Sequence, residues 1–290
     1  MFHTDLHIHT VASTDADFPP QEIVGMARAG GLNTIAITDH NRVRSIAPAI
    51  EAGAACGLRV IPGIEIDCEL DGLVLHILGY HINYHDPRYG ELDDFYYKQE
   101  AKSSWESLDK LCRHLNIQLD PQTVQTRARE GTIVPEDAAD LIITDPRFHG
   151  EPWLQPYLPG GSRSDNPNVN FFWDFFGQGK PAYTGISFLK AQEVLDLIHG
   201  TGGIAVIAHP SKITEHDPAI LRHLLELDVQ GMEVYSSYHS QEQTDEFYRM
   251  AKERGLLITC GSDFHGIHKP SITIGGIRYI HDEAEIYQGC

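Results

Sequence analysis

The chain has 290 residues, 41% of them hydrophobic, which is enough to form one large α/β domain or a barrel with an insertion. The formal charge at pH 7 is −19, from 22 basic and 41 acidic residues. This acidic excess argues against a long nucleic acid or an anionic membrane surface as the partner, because both need a positively charged contact face.

Cysteines and apolar runs indicate the compartment. The five cysteines, Cys56, Cys68, Cys112, Cys260 and Cys290, show no CxxC spacing, and we interpret them as reduced thiols. The chain shows neither a basic segment followed by an apolar run, as in a signal peptide, nor an apolar run long enough to span a bilayer. These features predict a cytoplasmic protein without a membrane partner.

The first part of the chain alternates between strand and helix patterns. Strands are predicted at 5–9, 33–38 and 59–65, and helices at 20–29 and 45–56 lie between them. This alternation is typical of βα units with parallel strand pairing.

A hairpin is predicted directly after the third strand. The apolar stretch 73–79 is expected to pair with 66–69, because Asp71-Gly72 between them is a frequent hairpin turn.

The composition then changes, and we predict that residues 82–184 form an inserted, mostly helical subdomain. A long polar helix is predicted at about 92–115, and a Gly-, Pro- and Asn-rich run follows at 160–170. An unstructured loop of this length is improbable inside a compact domain. The aromatic cluster Phe171, Phe172, Trp173, Phe175 and Phe176 is expected to form the subdomain core or its contact with the main domain, and substrate stacking is the less favoured alternative.

The alternation resumes in the last part of the chain, so that 1–81 and 185–290 are predicted to form the main domain. The expected elements are a helix at 189–199, a strand at 203–208, a helix at 219–227, a strand at 231–234, a helix at 241–254 and a strand at 257–262.

Histidines and carboxylates recur on or just after these strands. His7 and His9 are two residues apart and therefore lie on one face of their strand. The others are Asp39, His40, Glu65, His76, His209, Asp263 and His265. Because the carboxyl ends of parallel barrel strands surround one pocket, these residues are expected to converge. Mixed imidazole and carboxylate ligands suit divalent zinc, manganese or iron.

The order and spacing of five motifs resemble one family. The motifs are Asp5-Leu6-His7-Ile8-His9, Thr38-Asp39-His40, Gly63-Ile64-Glu65, His209-Pro210 and Gly261-Ser262-Asp263-Phe264-His265. They closely resemble the PHP (polymerase and histidinol phosphatase) family of amidohydrolase-like barrels, over roughly residues 1–80 and 185–270. The position of the insertion resembles stand-alone PHP phosphoesterases, which include nucleotide 3′,5′-bisphosphate phosphatases, and a similar group hydrolyses small cyclic phosphate esters.

The resemblance implies a distorted seven-stranded TIM-like (βα) barrel that holds two or three divalent metals. One ion would be held by His7, His9, Glu65 and Asp263, a second by Asp15, His40 and His265, and a third by His76 and His209 with Glu65 as a bridge. Asp17 is the neighbouring alternative to Asp15. Asp5 and Asp39 would lie behind the ligands and fix imidazole tautomers.

The resemblance further implies hydrolysis of a small soluble phosphate ester by a metal-bound hydroxide. We predict His239, together with Asp263, as catalytic: its imidazole would protonate the leaving oxygen or contact phosphate. Lys180 and Lys212 are the candidate phosphate contacts, and a solvated lysine is the alternative for each.

One departure from the subgroup affects the substrate. The bisphosphate phosphatases carry an Arg-x-His early in the insertion, whereas 133–138 here contain acids, and Arg147-Phe148-His149 has a different spacing. A second phosphate site is therefore doubtful. A phosphomonoester and a cyclic phosphodiester stay equally open as substrates. The alternatives are a histidinol-phosphatase-like monoesterase, a non-catalytic PHP binding domain, and hydrolysis of a C–N or C–O bond.

Overall fold

A computed structural model describes residues 3–128, 131–177 and 179–288. The chain divides into two compact units, Met1–Asp93 with Phe188–Cys290, and Asp94–Ser187. The second unit thus starts twelve residues later than the predicted subdomain and ends three residues later. Among the described residues, no helix has the length and apolar character needed to cross a membrane.

The first unit is built on one sheet whose strands are β1 (Thr4–Ile8), β2 (Thr34–Ile37), β3 (Arg59–Leu70), β4 (Leu73–Tyr80), β5 (Leu189–Lys190), β6 (Ile204–Ile207), β7 (Gly231–Ser236) and β8 (Leu257–Gly261). The strand order is β1-β2-β3-β4-β6-β7-β8, and the short β5 pairs with β3. At the ends of β1 and β8, the Asp263 amide donates to the His7 carbonyl at 2.9 Å and the His9 amide donates to the Phe264 carbonyl at 3.0 Å. These bonds nearly close the sheet, and the predicted TIM-like barrel is confirmed.

The β3–β4 hairpin differs from the prediction in one respect. The turn at Asp71-Gly72 is confirmed: both residues have positive φ, 52° and 84°, as a tight two-residue hairpin turn requires. The strand predicted to end at Glu65 instead continues to Leu70, because antiparallel pairing with β4 extends to the turn. Glu65 therefore lies inside a strand. β4 is antiparallel to both of its neighbours, whereas the other strand pairs are parallel.

Helices cover the strands of this unit, and their bounds are α1 (Pro20–Ala29), α2 (Ile46–Cys56), α7 (Ala191–Gly200), α8 (Pro210–Thr214), α9 (Pro218–Leu224) and α10 (Gln241–Arg254). α1 and α10 have the predicted bounds. α7 begins two residues after its predicted start, because Leu189 and Lys190 pair with β3. The buried faces of β1, β2, α1 and α2 share one apolar cluster that contains Ile8, Ile23 and Ile35.

The second unit is helical and has its own core. The helix α3 (Arg88–Leu115) enters it from the first unit, and α4 (Pro121–Arg127), α5 (Pro135–Ile143) and α6 (Pro167–Phe175) follow with short 3₁₀ turns between them. The prediction that the aromatic cluster contributes to the subdomain core is confirmed for Phe171 and Phe176, which are buried among apolar side chains. Trp173 is 59% exposed and lies outside that core.

Candidate metal centre

The first candidate ion site lies where the ends of β1 and β8 meet the middle of β3. Glu65 Oε2 is 3.0 Å from His7 Nε2 and 3.1 Å from His9 Nε2, and Asp263 Oδ1 is 3.2 and 3.0 Å from the same two nitrogens. All four residues are buried, and these four atoms have no hydrogen-bond partner among the described residues. Unpaired buried polar atoms are costly, so their convergence on one point fits a bound cation.

The second candidate site shares Glu65 with the first. Glu65 Oε1 is 2.9 Å from His76 Nδ1 and 3.0 Å from His209 Nε2, and these three side chains can also hold an ion. The two oxygens of this one carboxylate therefore face two different imidazole pairs. That arrangement fits a carboxylate bridging two ions, as the resemblance implied.

The third candidate site is formed by His9, His40 and His265, whose ligand atoms lie within 4.8 Å of one another. Asp15 Oδ2 is 3.2 Å from His265 Nε2 and 4.0 Å from His40 Nε2, at the edge of this group. Asp17, the alternative, instead accepts the backbone amide of Ile267 at 2.7 Å. This geometry favours Asp15 over Asp17.

Hydrogen bonds fix which nitrogen of several rings is available. His7 Nδ1 lies 3.0 Å from the Glu233 carboxylate, and His265 Nδ1 lies 2.8 Å from the Asp263 carbonyl. Because both of these oxygens can only accept a hydrogen bond, each ring carries its proton on Nδ1. His9 Nδ1 lies 3.0 Å from Ser13 Oγ. In each ring, Nε2 is left to face the other ligands, as in metal sites whose outer carboxylates set the tautomer.

The two carboxylates predicted to lie behind the ligands have different roles. Asp39 acts through Ser13: the Ser13 hydroxyl donates to Asp39 at 3.1 Å and can then accept the Nδ1 proton of His9. Asp5 contacts no imidazole through a described hydrogen bond. It accepts the backbone amides of His7, Ser262 and Gly275 at 3.3, 2.9 and 2.7 Å, and it therefore ties together the chain segments near the ligands. These bonds do not support the tautomer role expected of Asp5, which stays a prediction.

Four polar residues of this region were not predicted. Glu233, inside β7, holds the His7 ring and also accepts the His209 amide at 2.7 Å. Asp263 Oδ2 accepts from Tyr238 at 2.5 Å and from Lys269 at 2.7 Å. Asp67 faces two of the imidazoles. For Glu233 alone, the sequence offered a signal: it is a carboxylate inside a mainly apolar strand, and a buried carboxylate is unusual unless it has a partner.

His239, predicted as catalytic, is 4% exposed and belongs to none of the three ligand groups. Its Nδ1 lies 2.8 Å from the Val234 carbonyl, which can only accept, so the ring proton is on Nδ1. Burial also lowers the pKa of His239. The neutral ring therefore presents a lone pair at Nε2, which does not favour the predicted role as proton donor.

The two lysines predicted to bind phosphate lie in different units. Lys212, on α8 of the first unit, is 4.8 Å from the centre of the Tyr238 ring and 3.4 Å from Glu215 Oε2. Lys180 is exposed and lies in the second unit. Phosphate binding by either residue stays a prediction.

Backbone strain accompanies the ligands. His209 and Asp263 have φ values of 24° and 58°, and Asn41, next to His40, has a φ of 58°. Residues with side chains rarely adopt positive φ, and such strain is frequent at functional sites because the surrounding structure must hold it.

Mutual electrostatics shift the pKa values of the ligands. Burial alone would lower the pKa of His7, but three facing carboxylates raise it well above its usual range. The same balance raises the pKa of His40 to about 10. Burial would raise the pKa of Glu65, but the imidazoles around it lower it well below its usual range. Burial lowers the pKa of His265 to about 4.

Sequence comparison finds relatives along most of the chain. The PHP domain model matches residues 5–115. A 5′-3′ exoribonuclease of Haemophilus influenzae is 29% identical over 264 residues, covering 90% of this chain and 89% of the relative. A 3′,5′-nucleoside bisphosphate phosphatase of Chromobacterium violaceum is 28% identical, covering 91% and 88%. A phosphoribosyl 1,2-cyclic phosphate 1,2-diphosphodiesterase of Eggerthella lenta is 25% identical, covering 90% and 94%.

Solved structures share the fold. An amidohydrolase from Chromobacterium violaceum superposes with a TM-score of 0.74 at 24% identity, covering 91% of this chain and 87% of that one. A Bifidobacterium adolescentis protein assigned as a metal-dependent phosphoesterase gives a TM-score of 0.78 at 23% identity, covering 98% and 94%. The chain thus carries a match to the PHP domain model over residues 5–115, is similar over 90–91% of its length to proteins named as exoribonuclease, phosphatase and phosphodiesterase, and shares its fold with these two structures.

Proposed function

We propose that this protein hydrolyses a small phosphate ester at the three overlapping ligand groups, with divalent manganese, iron or zinc as the resident ions. The observation that carries the proposal is the position of Glu65, whose two oxygens lie 2.9–3.1 Å from four imidazole nitrogens. Such ions, when bound, activate water and neutralise phosphoryl oxygens. In the reaction, water adds to phosphorus, the ester P–O bond breaks, and the leaving oxygen takes a proton.

The residues of the chain supply the frame for that chemistry. Buried carboxylates keep the ligand nitrogens in position, and the outer acceptors Glu233 and Ser13 hold ring protons away from the site. No serine or cysteine nucleophile is required, because water attacks. The free thiols among the described residues, Cys56, Cys68, Cys112 and Cys260, belong to none of the ligand groups; Cys290 lies outside the described residues.

Two donors surround the outer oxygen of Asp263. Tyr238 donates to Asp263 Oδ2, and Lys269 lies 3.0 Å from the Tyr238 oxygen, so this hydroxyl is tied to a ligand carboxylate. Lys212 and Lys269 add positive charge near the Tyr238 ring, at 4.8 and 5.7 Å from its centre. Either cation could assist a phosphate dianion.

A substrate with one phosphoryl group is favoured over a bisphosphate. The segment comparable to the missing Arg-x-His lies at the start of α5, where Glu136 and Asp137 are acidic. Arg147 does not replace it, because its guanidinium makes ion-paired hydrogen bonds to Asp145 at 2.6–3.1 Å. A small cyclic phosphate ester is the second candidate substrate, because the Eggerthella lenta cyclic phosphate diphosphodiesterase is 25% identical to this chain.

A substrate panel separates these candidates. Purified protein loaded in turn with Mn²⁺, Fe²⁺ or Zn²⁺ is assayed with mononucleotides, 3′,5′-bisphosphates, sugar phosphates, small cyclic phosphates and a short RNA with a 5′ phosphate. A monoesterase releases inorganic phosphate, whereas a cyclic diesterase opens the ring without releasing it. RNA shortened from its 5′ end would match the exoribonuclease relatives instead. Inactivity with every substrate and every metal would contradict the proposal.

Two further features of the protein stay predictions. One is the division into a barrel domain of 1–81 and 185–290 with an inserted subdomain at 82–184. The other is the cytoplasmic location expected from the cysteines.

A further inference from the structure

Asp67 occupies a central position between two of the ligand groups. It lies on β3 two residues after Glu65, so both side chains point to the same face of the strand. In the β3–β4 register it is directly opposite His76. Its Oδ1 is 3.0 Å from His40 Nδ1 and 3.3 Å from His76 Nε2. One carboxylate oxygen therefore faces one nitrogen of each ring.

The remaining nitrogens of these two rings face different ion sites. His76 Nδ1 is 2.9 Å from Glu65 Oε1, in the group shared with His209. His40 Nε2 points toward Asp15, at 4.0 Å, in the group shared with His265. A neutral imidazole has one N–H and one lone pair, so a proton held on the Asp67 side leaves the lone pair on the opposite side.

Asn41 fixes the Asp67 carboxylate in place. The Asn41 side-chain oxygen accepts the Asp67 backbone amide at 3.0 Å, which leaves its amide nitrogen to donate to Asp67 Oδ2 at 2.9 Å. The direction of the Asn41 amide is thus determined by a backbone donor. Only an acceptor atom at residue 67 can face it.

We infer that Asp67 is a positioning residue that holds the ring protons of His40 and His76 and so presents one nitrogen of each ring to a different ion. The inference rests on the proposed function only in taking the three groups as ion sites. Asp67, His40 and His76 could themselves surround a cation. An ion between these three side chains would bind the nitrogens that face Asp67, while the opposite nitrogens bind the other ions. Each imidazole would then have to lose both of its ring protons, which disfavours an ion at Asp67.

Two substitutions of Asp67 separate positioning from a merely structural role. In D67N, the acceptor oxygen must face Asn41, so the new amide nitrogen faces the imidazoles and donates to them. The ring protons are then driven onto the nitrogens that should bind ions. In D67A, no donor is introduced. A packing role predicts that the isosteric D67N is the milder change, whereas the positioning role predicts that D67N is the more severe one.

The experiment is a metal count at equilibrium. Ion-free wild type, D67N, D67A and the control E69Q are dialysed against a concentration series of Mn²⁺ or Zn²⁺, and bound metal is measured by mass spectrometry. Glu69 lies on the same strand and face and pairs with Lys190, so E69Q matches the charge change outside the ligand groups.

The expected result is selective. D67N should keep the ion at His7, His9, Glu65 and Asp263, and the other two sites should need about 10- to 100-fold more metal. D67A should show a smaller shift, and E69Q should match wild type. The retained first ion also reports an intact barrel. If D67N does not fold, the inference still requires D67A to weaken the same two sites while keeping the first.

Three results would overturn the inference: ion counts unchanged in both Asp67 variants, loss of all ions together, or D67A at least as impaired as D67N. None of them depends on turnover. A protein that binds ions as expected but hydrolyses no phosphate ester would contradict the proposed function and leave the role of Asp67 standing.

Discussion

The barrel unit and the second unit differ in where their charged side chains lie. In the barrel unit, His7, Glu65 and Asp263 are buried and face one another through atoms without described hydrogen-bond partners. In the second unit, the ion pair between Lys98 and Asp94 is exposed, and the main buried cluster is apolar. The core of the second unit is therefore mainly apolar packing, whereas the barrel buries a cluster of carboxylates and imidazoles whose arrangement fits bound cations.

The largest effect is expected from removing the negative charge of Glu65 in the buried cluster of the barrel unit. The E65Q variant removes the shared negative charge and turns an amide nitrogen toward one imidazole pair. We expect two ion sites to fail and kcat/KM to fall about a thousandfold or more, because bound ions contribute several kcal/mol to the transition state. Metal counting and phosphate release measure the two effects.

The matched control for E65Q is again E69Q, on the same strand. A Glu65 variant with normal metal content and activity would show that the buried charges of the barrel serve another purpose.

The next prediction concerns the apolar core of the second unit. Phe171 is fully buried, and its ring centre is 5.1 Å from that of Tyr157 and 4.5 Å from that of Phe175. We expect F171A to lower the free energy of unfolding of the second unit by about 3–5 kcal/mol, without changing the metal count. All three tryptophans, Trp105, Trp153 and Trp173, lie in this unit, so their fluorescence reports its unfolding in denaturant.

The control is W173A, on the same helix, which removes a 59% exposed ring and leaves two reporters. It should change stability by no more than about 0.5 kcal/mol. Equal losses in both variants, or metal loss in F171A, would contradict the independence of packing and ion binding.

A smaller effect concerns the support of one ligand. Tyr238 donates to the outer oxygen of Asp263 at 2.5 Å. The Y238F variant keeps the ring beside Lys212 but removes that donor, and we expect the affinity for the first ion to fall about tenfold. Metal titration of Y238F against Y248F, whose hydroxyl bonds Glu285 instead, measures it. Indistinguishable affinities would mean that the hydroxyl does not hold the ligand.

The last prediction concerns the protons released when an ion binds, which for each ion is a small number. Facing carboxylates raise the pKa of His40 to about 10, so its ring is protonated at neutral pH in the ion-free protein. Ligation needs a neutral ring, and ion binding therefore releases protons. The affinity should rise about tenfold per pH unit for each proton released, from neutral pH up to about pH 10. Calorimetry in two buffers of different ionisation enthalpy counts the protons, and a count of zero would contradict the expected coupling.

The sequence predicted much of this molecule for identifiable physical reasons. Strand periodicity put His7 and His9 on one face, and the Asp71-Gly72 turn predicted the hairpin that sets Asp67 opposite His76. Strand ends in a barrel converge, so His209 and the Asp263 segment were expected near the same pocket. These features depend on local backbone geometry, which a short stretch of sequence specifies.

Other features could not be predicted in this way. His239 follows a strand as the ligands do, yet its Nδ1 faces the Val234 carbonyl and the residue belongs to none of the three ligand groups. Glu233 supports His7 from a distant strand, and Asp5 bonds backbone amides instead of imidazoles. Which polar atoms meet depends on side-chain direction and on contacts across the barrel, and neither follows from spacing along the chain.

Local patterns were enough to predict the barrel, the set of imidazoles and carboxylates and the resemblance to the PHP family, because periodicity and turn residues act over short stretches of chain. Which nitrogen of each ring faces the other ligands, and which partner holds the opposite nitrogen, depends on how the strands pack across the barrel. A ring proton goes to whichever acceptor the fold brings within about 3 Å, and residues such as Asp67 and Glu233 become such acceptors only when the barrel closes.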